Sequence, residues 1–128
     1  MLRMSTMRAA RYSQVGPAAS VLGVDQIPIP KPGPNQVRVK VAFSGINPTD
    51  VKNRAGSAAW DMADFQIPHQ DGSGVIDIVG ANVDPARIGE RVWIMLSAFD
   101  NVYGTAAEYC IVDVANVRPL PENADLEL

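Results

Sequence analysis

The stretch Gln36-Val37-Arg38-Val39-Lys40-Val41-Ala42-Phe43-Ser44-Gly45-Ile46-Asn47-Pro48-Thr49-Asp50-Val51-Lys52 decides what kind of domain this chain builds. From Gln36 to Ser44 apolar and polar side chains alternate, the period of a strand with one face buried. Val37, Val39 and Val41 face one way, and Arg38 and Lys40 face the other, toward solvent. The chemistry then changes. Asn47 is a helix-capping residue, Pro48 takes the first helical position, where its missing N–H costs nothing, and Asp50 sits in the first turn. The pattern predicts a short helix that runs through Ala55 and stops at Gly56. Spacing alone explains Asn47 and Asp50 as caps and leaves a site role open.

Outward from this stretch the chain reads as short strands punctuated by Pro and Gly. Strands are predicted at Met7 to Tyr12, Val21 to Ile27, Gly74 to Val79, Arg91 to Met95 and Ala106 to Asp113, with a turn at Val15-Gly16-Pro17. The run Pro28-Ile29-Pro30-Lys31-Pro32-Gly33-Pro34 forbids helix and central strand, so it is expected as an exposed extended loop. Gly56 to Gln66, with Trp60, Met62 and Phe65, reads as loop with one helical turn. Asp71-Gly72-Ser73-Gly74 reads as a tight turn leading into a strand, the wrong context for a phosphate loop. Strands at this spacing argue a sandwich or a partly open barrel.

Composition narrows the function classes. The 128 residues carry a formal charge of −3, one Cys and one His, with ten Pro and ten Gly. That length fits one domain. One Cys excludes a disulfide framework, and one Cys with one His cannot supply a four-ligand zinc site. Cys110, in Tyr109-Cys110-Ile111-Val112, reads as a buried structural thiol. The longest apolar run, Val92 to Leu96, is far short of the roughly 20 residues that span a bilayer. Met1 to Thr6 lacks the apolar core of a signal peptide, so a cytoplasmic setting is expected and no membrane partner. Residues 1–54 hold eight Lys/Arg and two Asp/Glu, and residues 55–128 hold three and twelve. The basic half has no interleaved aromatics to stack bases, so no nucleic-acid partner is expected.

Taken in order, several blocks resemble the medium-chain dehydrogenase/reductase family. Met7-Arg8-Ala9-Ala10-Arg11-Tyr12 and the Val37 to Lys52 stretch look like its start. Ile67-Pro68-His69-Gln70-Asp71-Gly72-Ser73-Gly74 resembles the loop before its long strand. Ile88-Gly89-Glu90-Arg91-Val92-Trp93, Gly104-Thr105-Ala106-Ala107-Glu108-Tyr109 and Val117-Arg118-Pro119-Leu120-Pro121-Glu122 match further blocks. The resemblance implies a mainly β, GroES-like, partly open barrel with short helices over residues 7–128, and residues 1–6 as an extension. It also implies that the family's Rossmann domain lies outside these residues.

The details are similar to the zinc-independent quinone oxidoreductase (zeta-crystallin-like) branch. Where zinc alcohol dehydrogenases carry a ligand Cys this chain has Asn47, and where they carry a ligand His it has Gln70. The four-cysteine lobe expected after Trp93 is missing, so the resemblance implies no metal. It implies hydride transfer from NADPH to a small-molecule quinone or activated enone, in a homo-oligomer when full length. Asn47 and Asp50 are then the expected catalytic residues, and Asn47 and Lys52 the expected cofactor contacts. Trp60, His69 and Gln70 are candidates for the substrate pocket; His69 stands where the family commonly has glycine. The chain alone is expected to be inactive. The alternatives are a GroES-like binding or structural module without catalysis, and an enoyl reductase of the same superfamily. The Tyr that such reductases usually offer just after the short helix is absent from Gly56 to Trp60.

Overall fold

A computed structural model of the chain describes residues 5–56 and 62–127. β1 (Thr6–Arg11) and β2 (Gly23–Pro28) pair antiparallel as a two-stranded sheet. A five-stranded antiparallel sheet runs in the order β6 (Tyr109–Asp113), β3 (Gln36–Gly45), β4 (Asp71–Val79), β5 (Arg91–Ile94), β7 (Val117–Pro119). The architecture is mainly β, in two sheets that do not close, with short helices α1 (Ala18–Val21) and α2 (Pro48–Ala55).

The alternation in β3 does what it predicts on its inner face. Val37 and Val39 are wholly buried and pack with Ile76, Val92, Ile94, Cys110, Val112 and Val117 into the main core. A second core of Met7, Ala9, Ile27 and Ile67 lies under the two-stranded sheet. The outer face of β3 departs from expectation at Arg38, whose side chain is only 14% exposed. Arg38 Nε and Nη2 donate to the Asp77 carboxylate at 3.0 and 2.9 Å, and its guanidinium lies 5.0 Å from the centre of the Tyr109 ring. Lys40, two residues on, is exposed as predicted.

Three further expectations are corrected. Val21 closes a helical turn and does not open a strand, because the Val21 N–H returns to the Pro17 carbonyl; β2 starts at Gly23. The proline-rich loop is not exposed throughout: Pro30 is buried, its carbonyl accepts from Arg38, and Ile29 packs on the second core. Asp71-Gly72-Ser73-Gly74 is no turn but the first four residues of β4. The β3–β4 register slips between Val41 and Phe43, drawing the two backbones together there. A Cβ at Gly74 would collide with the Lys40 carbonyl, and one at Gly72 with that of Phe43. These glycines serve close backbone approach.

Smaller differences occur at strand ends. The last long strand begins at Tyr109, not Ala106, because the N–H groups of Gly104, Thr105 and Ala106 bond Ile67, His69 and Pro68 and not β3. Among the described residues no helix is long and apolar enough to cross a membrane.

Candidate functional site

α2 has the start and stop read from the sequence. Its first residue is Pro48, Asn47 is the N-cap with extended backbone, and Gly56 at its end is left-handed with φ 91°. The Asp50 carboxylate turns back and accepts the Asn47 backbone N–H at 2.7 Å. Asp50 is thereby held at 7% exposure, the one buried residue of the helix. The Asn47 side chain leaves the helix, and its Nδ2 donates to Asp71 Oδ2 on β4 at 3.1 Å. Asn47 is thus tied to two carboxylates from two different elements.

Those two acids border different cavities. Asp50 lines one of about 230 Å³ with Tyr12, Asn53, Gln66, Gln70 and Phe99. Asp71 lines a wider groove of about 470 Å³ with Phe43, Ser44, Trp93 and Leu126. Gln70 is fixed at its cavity: its Oε1 accepts the Ala98 N–H at 3.1 Å and its carbonyl the Ser97 N–H at 2.8 Å. Tyr12, at the end of β1, is 2% exposed. Burial, reinforced by the nearby Asp50 charge and opposed by Arg54, raises its phenol pKa, so the group is a proton-bearing donor throughout the neutral range.

The structure brings Asp50 and Gln70 to one cavity and ties Asn47, which lines neither cavity, to Asp50 by a hydrogen bond; it separates others from them. Lys52 is exposed on α2 and borders neither cavity. His69 lies between two residues of the 230 Å³ cavity, Pro68 and Gln70, but is not part of its wall. Its Nδ1 lies 2.7 Å from Ser44 Oγ instead. Trp60 falls outside the described residues. Sequence reasoning missed Tyr12, Gln66 and Phe99 as cavity walls and Asp71 as the partner of Asn47. The polar amide of Gln66 inside an apolar context was a usable signal: its Nε2 donates to the Ile67 and Asn101 carbonyls. Among the described residues no three His, Cys, Asp or Glu side chains gather as a metal ion would need.

Residues 33–122 match the alcohol dehydrogenase GroES-like domain family. The chain belongs to that family. A quinone oxidoreductase of Rattus norvegicus is 31% identical over 119 residues, covering 93% of this chain and 35% of the relative. A trans-enoyl reductase of Gibberella fujikuroi is 33% identical over 123 residues, covering 96% of this chain and 34% of the relative. The solved quinone oxidoreductase of Coxiella burnetii superposes with a TM-score of 0.82 at 25% identity, over 96% of this chain and 39% of that one. This GroES-like chain therefore spans about a third of the length of the curated relatives it matches.

Proposed function

We propose that this GroES-like chain is the substrate-side domain of an NADPH-dependent, zinc-free reductase acting on quinones or activated enones. The observation that carries the reading is the double attachment of Asn47. Its backbone is held by Asp50 on one cavity and its amide by Asp71 on the other. Asn47 itself lines neither cavity, but an amide fixed between an acid of each suits a group placed between a cofactor and a substrate. The kinship to quinone oxidoreductases supports the substrate class.

The donor set fits one end of the cofactor. Asn47 Nδ2 has a second N–H beyond the one given to Asp71, suited to the oxygen of a carboxamide or of a developing oxyanion. Lys52, exposed on the same helix, is the cation on the cofactor side of this assignment. Among the described residues no glycine-rich strand-to-helix turn cradles a pyrophosphate, since Gly72 and Gly74 lie within β4. The nucleotide's main binding elements are accordingly assigned to a separate nucleotide-binding unit. NADPH, when bound, supplies the hydride. Asp50 orients Asn47 and keeps water from its backbone N–H, and Gln70 and Phe99 shape the substrate wall. The lone buried Cys110 is in keeping with a cytoplasmic setting.

Enone reduction is the second reading, favoured by Tyr12. The Tyr expected just after α2 in enoyl reductases is absent, but Tyr12 brings a protonated phenol to the same cavity as Asp50 from β1. The test is NADPH oxidation by the protein carrying this chain with a nucleotide-binding unit, offered an ortho-quinone and then an enone. Quinone-dependent turnover is expected. NADPH binding with neither substrate oxidising it would favour a non-catalytic module.

A further inference from the structure

The geometry points to His69 as a positioning residue for Asn47, acting through a one-way hydrogen-bond chain that immobilises Asp71. The inference rests on the reading of Asn47 as a substrate or cofactor contact. His69 Nδ1 and Ser44 Oγ are 2.7 Å apart, Ser44 Oγ and Thr105 Oγ1 2.8 Å, and Thr105 Oγ1 and the Asp71 carbonyl oxygen 2.8 Å. A proton inventory fixes the direction of every link. The Asp71 carbonyl can only accept, so Thr105 spends its single hydroxyl proton there. Ser44 must then donate to Thr105, and with its only proton spent it must accept from His69. His69 is therefore the Nδ1–H tautomer, with Nε2 outside the chain.

That direction decides between two roles. A histidine at the head of two hydroxyls resembles a proton relay, but this chain ends on a backbone carbonyl, which has no proton to pass on. What it does is hold. Thr105 is 1% exposed and also donates its backbone N–H to the His69 carbonyl at 3.0 Å, so residues 69 and 105 are joined directly through the backbone and, by way of Ser44, through their side chains. Asp71, gripped at its carbonyl, presents its carboxylate to Asn47 Nδ2. Aligned donors polarise one another, so each link strengthens the next.

The backbone of His69 shows what the contact overcomes. Its φ is +80°, the left-handed region that favours glycine. A side chain held there against strain, and bonded at its tip, is consistent with a positioning task.

The test uses nuclear magnetic resonance of the 128-residue chain, with the Asn47 side-chain amide as reporter, so no turnover is needed. The His69 nitrogens should show a protonated Nδ1 and, at high pH, an unprotonated Nε2. Ser44→Ala should shift the Asn47 Nδ2 protons and speed their exchange with solvent about fivefold, as loss of one hydrogen bond does. Ser44→Thr, which keeps the hydroxyl, should restore both. Thr105→Val should repeat the Ser44→Ala effect. A protonated Nε2 with bare Nδ1 would overturn the inference, as would an Asn47 amide unmoved by both Ser44→Ala and Thr105→Val. Either result would leave the quinone reading standing, and absence of quinone turnover would leave these resonances unaffected.

Discussion

The Asp50 carboxylate reaches back one helical turn to take the Asn47 backbone N–H at 2.7 Å, while the Asn47 side chain bonds a second carboxylate, that of Asp71. The Asp50 N–H goes in turn to the Asn47 carbonyl at 3.0 Å, and Asn47 Nδ2 donates to Asp71 on β4. The capping residue and the proposed site residue are thus one and the same here. Asp50→Ala should lower stability by about 1 kcal/mol, the usual worth of a cap. Asp50→Asn keeps a carbonyl acceptor and should cost less than half of that. Urea denaturation of both variants measures the difference, and equal losses would mean that the carboxylate charge, not the hydrogen bond, holds the cap.

Tyr12→Phe separates the two substrate classes. The phenol lies on the cavity that Asp50 lines, and burial keeps it protonated. A proton donor matters for an enone, whose α-carbon must take a proton once hydride has reached the β-carbon, and much less for a quinone. On the proposed reading, in the protein that joins this chain to a nucleotide-binding unit, kcat for an enone should fall at least tenfold, within the usual range for loss of a general acid, roughly 100-fold or more at full effect. The ortho-quinone rate should change less than about threefold on the same scale. Parallel losses on both substrates would assign Tyr12 to packing.

The parts of this site that were legible in the sequence are the parts that are local. Asn47, Pro48, Asp50 and Gly56 lie within ten residues, and capping chemistry fixes their geometry without the rest of the fold. Asn47 and Asp71 are 24 residues apart, and Ser44 and Thr105 are 61 apart. The first meeting depends on the β3–β4 register and the second on the loop that ties Thr105 to His69, and no short-range pattern encodes either. The glycines at 72 and 74 were misleading because a turn and a close backbone approach call for the same residue. Only the partner strand tells them apart. The strand alternation at β3 located Val37 and Val39 correctly but could not show that Asp77 and Tyr109 would cover Arg38.

Arg38 is where that hidden partner can be weighed. Its guanidinium bonds Asp77 through two nitrogens and the Pro30 carbonyl through a third, at 14% side-chain exposure. Asp77→Ala removes the counter-charge and leaves a half-buried cation, at a cost of about 2 kcal/mol. Replacing both at once, Arg38→Met with Asp77→Leu, should recover most of that loss, because the cost lies in the unpaired charge. A double variant no more stable than Asp77→Ala would locate the cost in packing against Tyr109.

Cys110 makes stability fall in alkali. Its thiol is wholly buried on β6, and burial pushes its pKa up from 9.0 to about 12, against a smaller lowering by the Ser97 hydrogen bond. Below pH 9 the thiol is protonated in both folded and unfolded chains and has no effect on the balance. Above pH 9 the unfolded chain releases the proton and the folded chain keeps it, so the unfolded state gains and stability declines until about pH 12. The limiting slope is roughly 1 kcal/mol per pH unit from this group. Tyr12, whose phenol is also raised by burial, adds a decline of the same sign above its ordinary value of 10.0. Denaturation midpoints between pH 8 and pH 10 should therefore drop in the parent and flatten in Cys110→Ala, whatever the variant's absolute stability. The native thiol should also resist a thiol-reactive disulfide reagent at pH 8 until the chain unfolds, because the thiolate is the reacting form. An equal pH slope in Cys110→Ala, or rapid native labelling, would mean that solvent reaches the thiol between β6 and its neighbours.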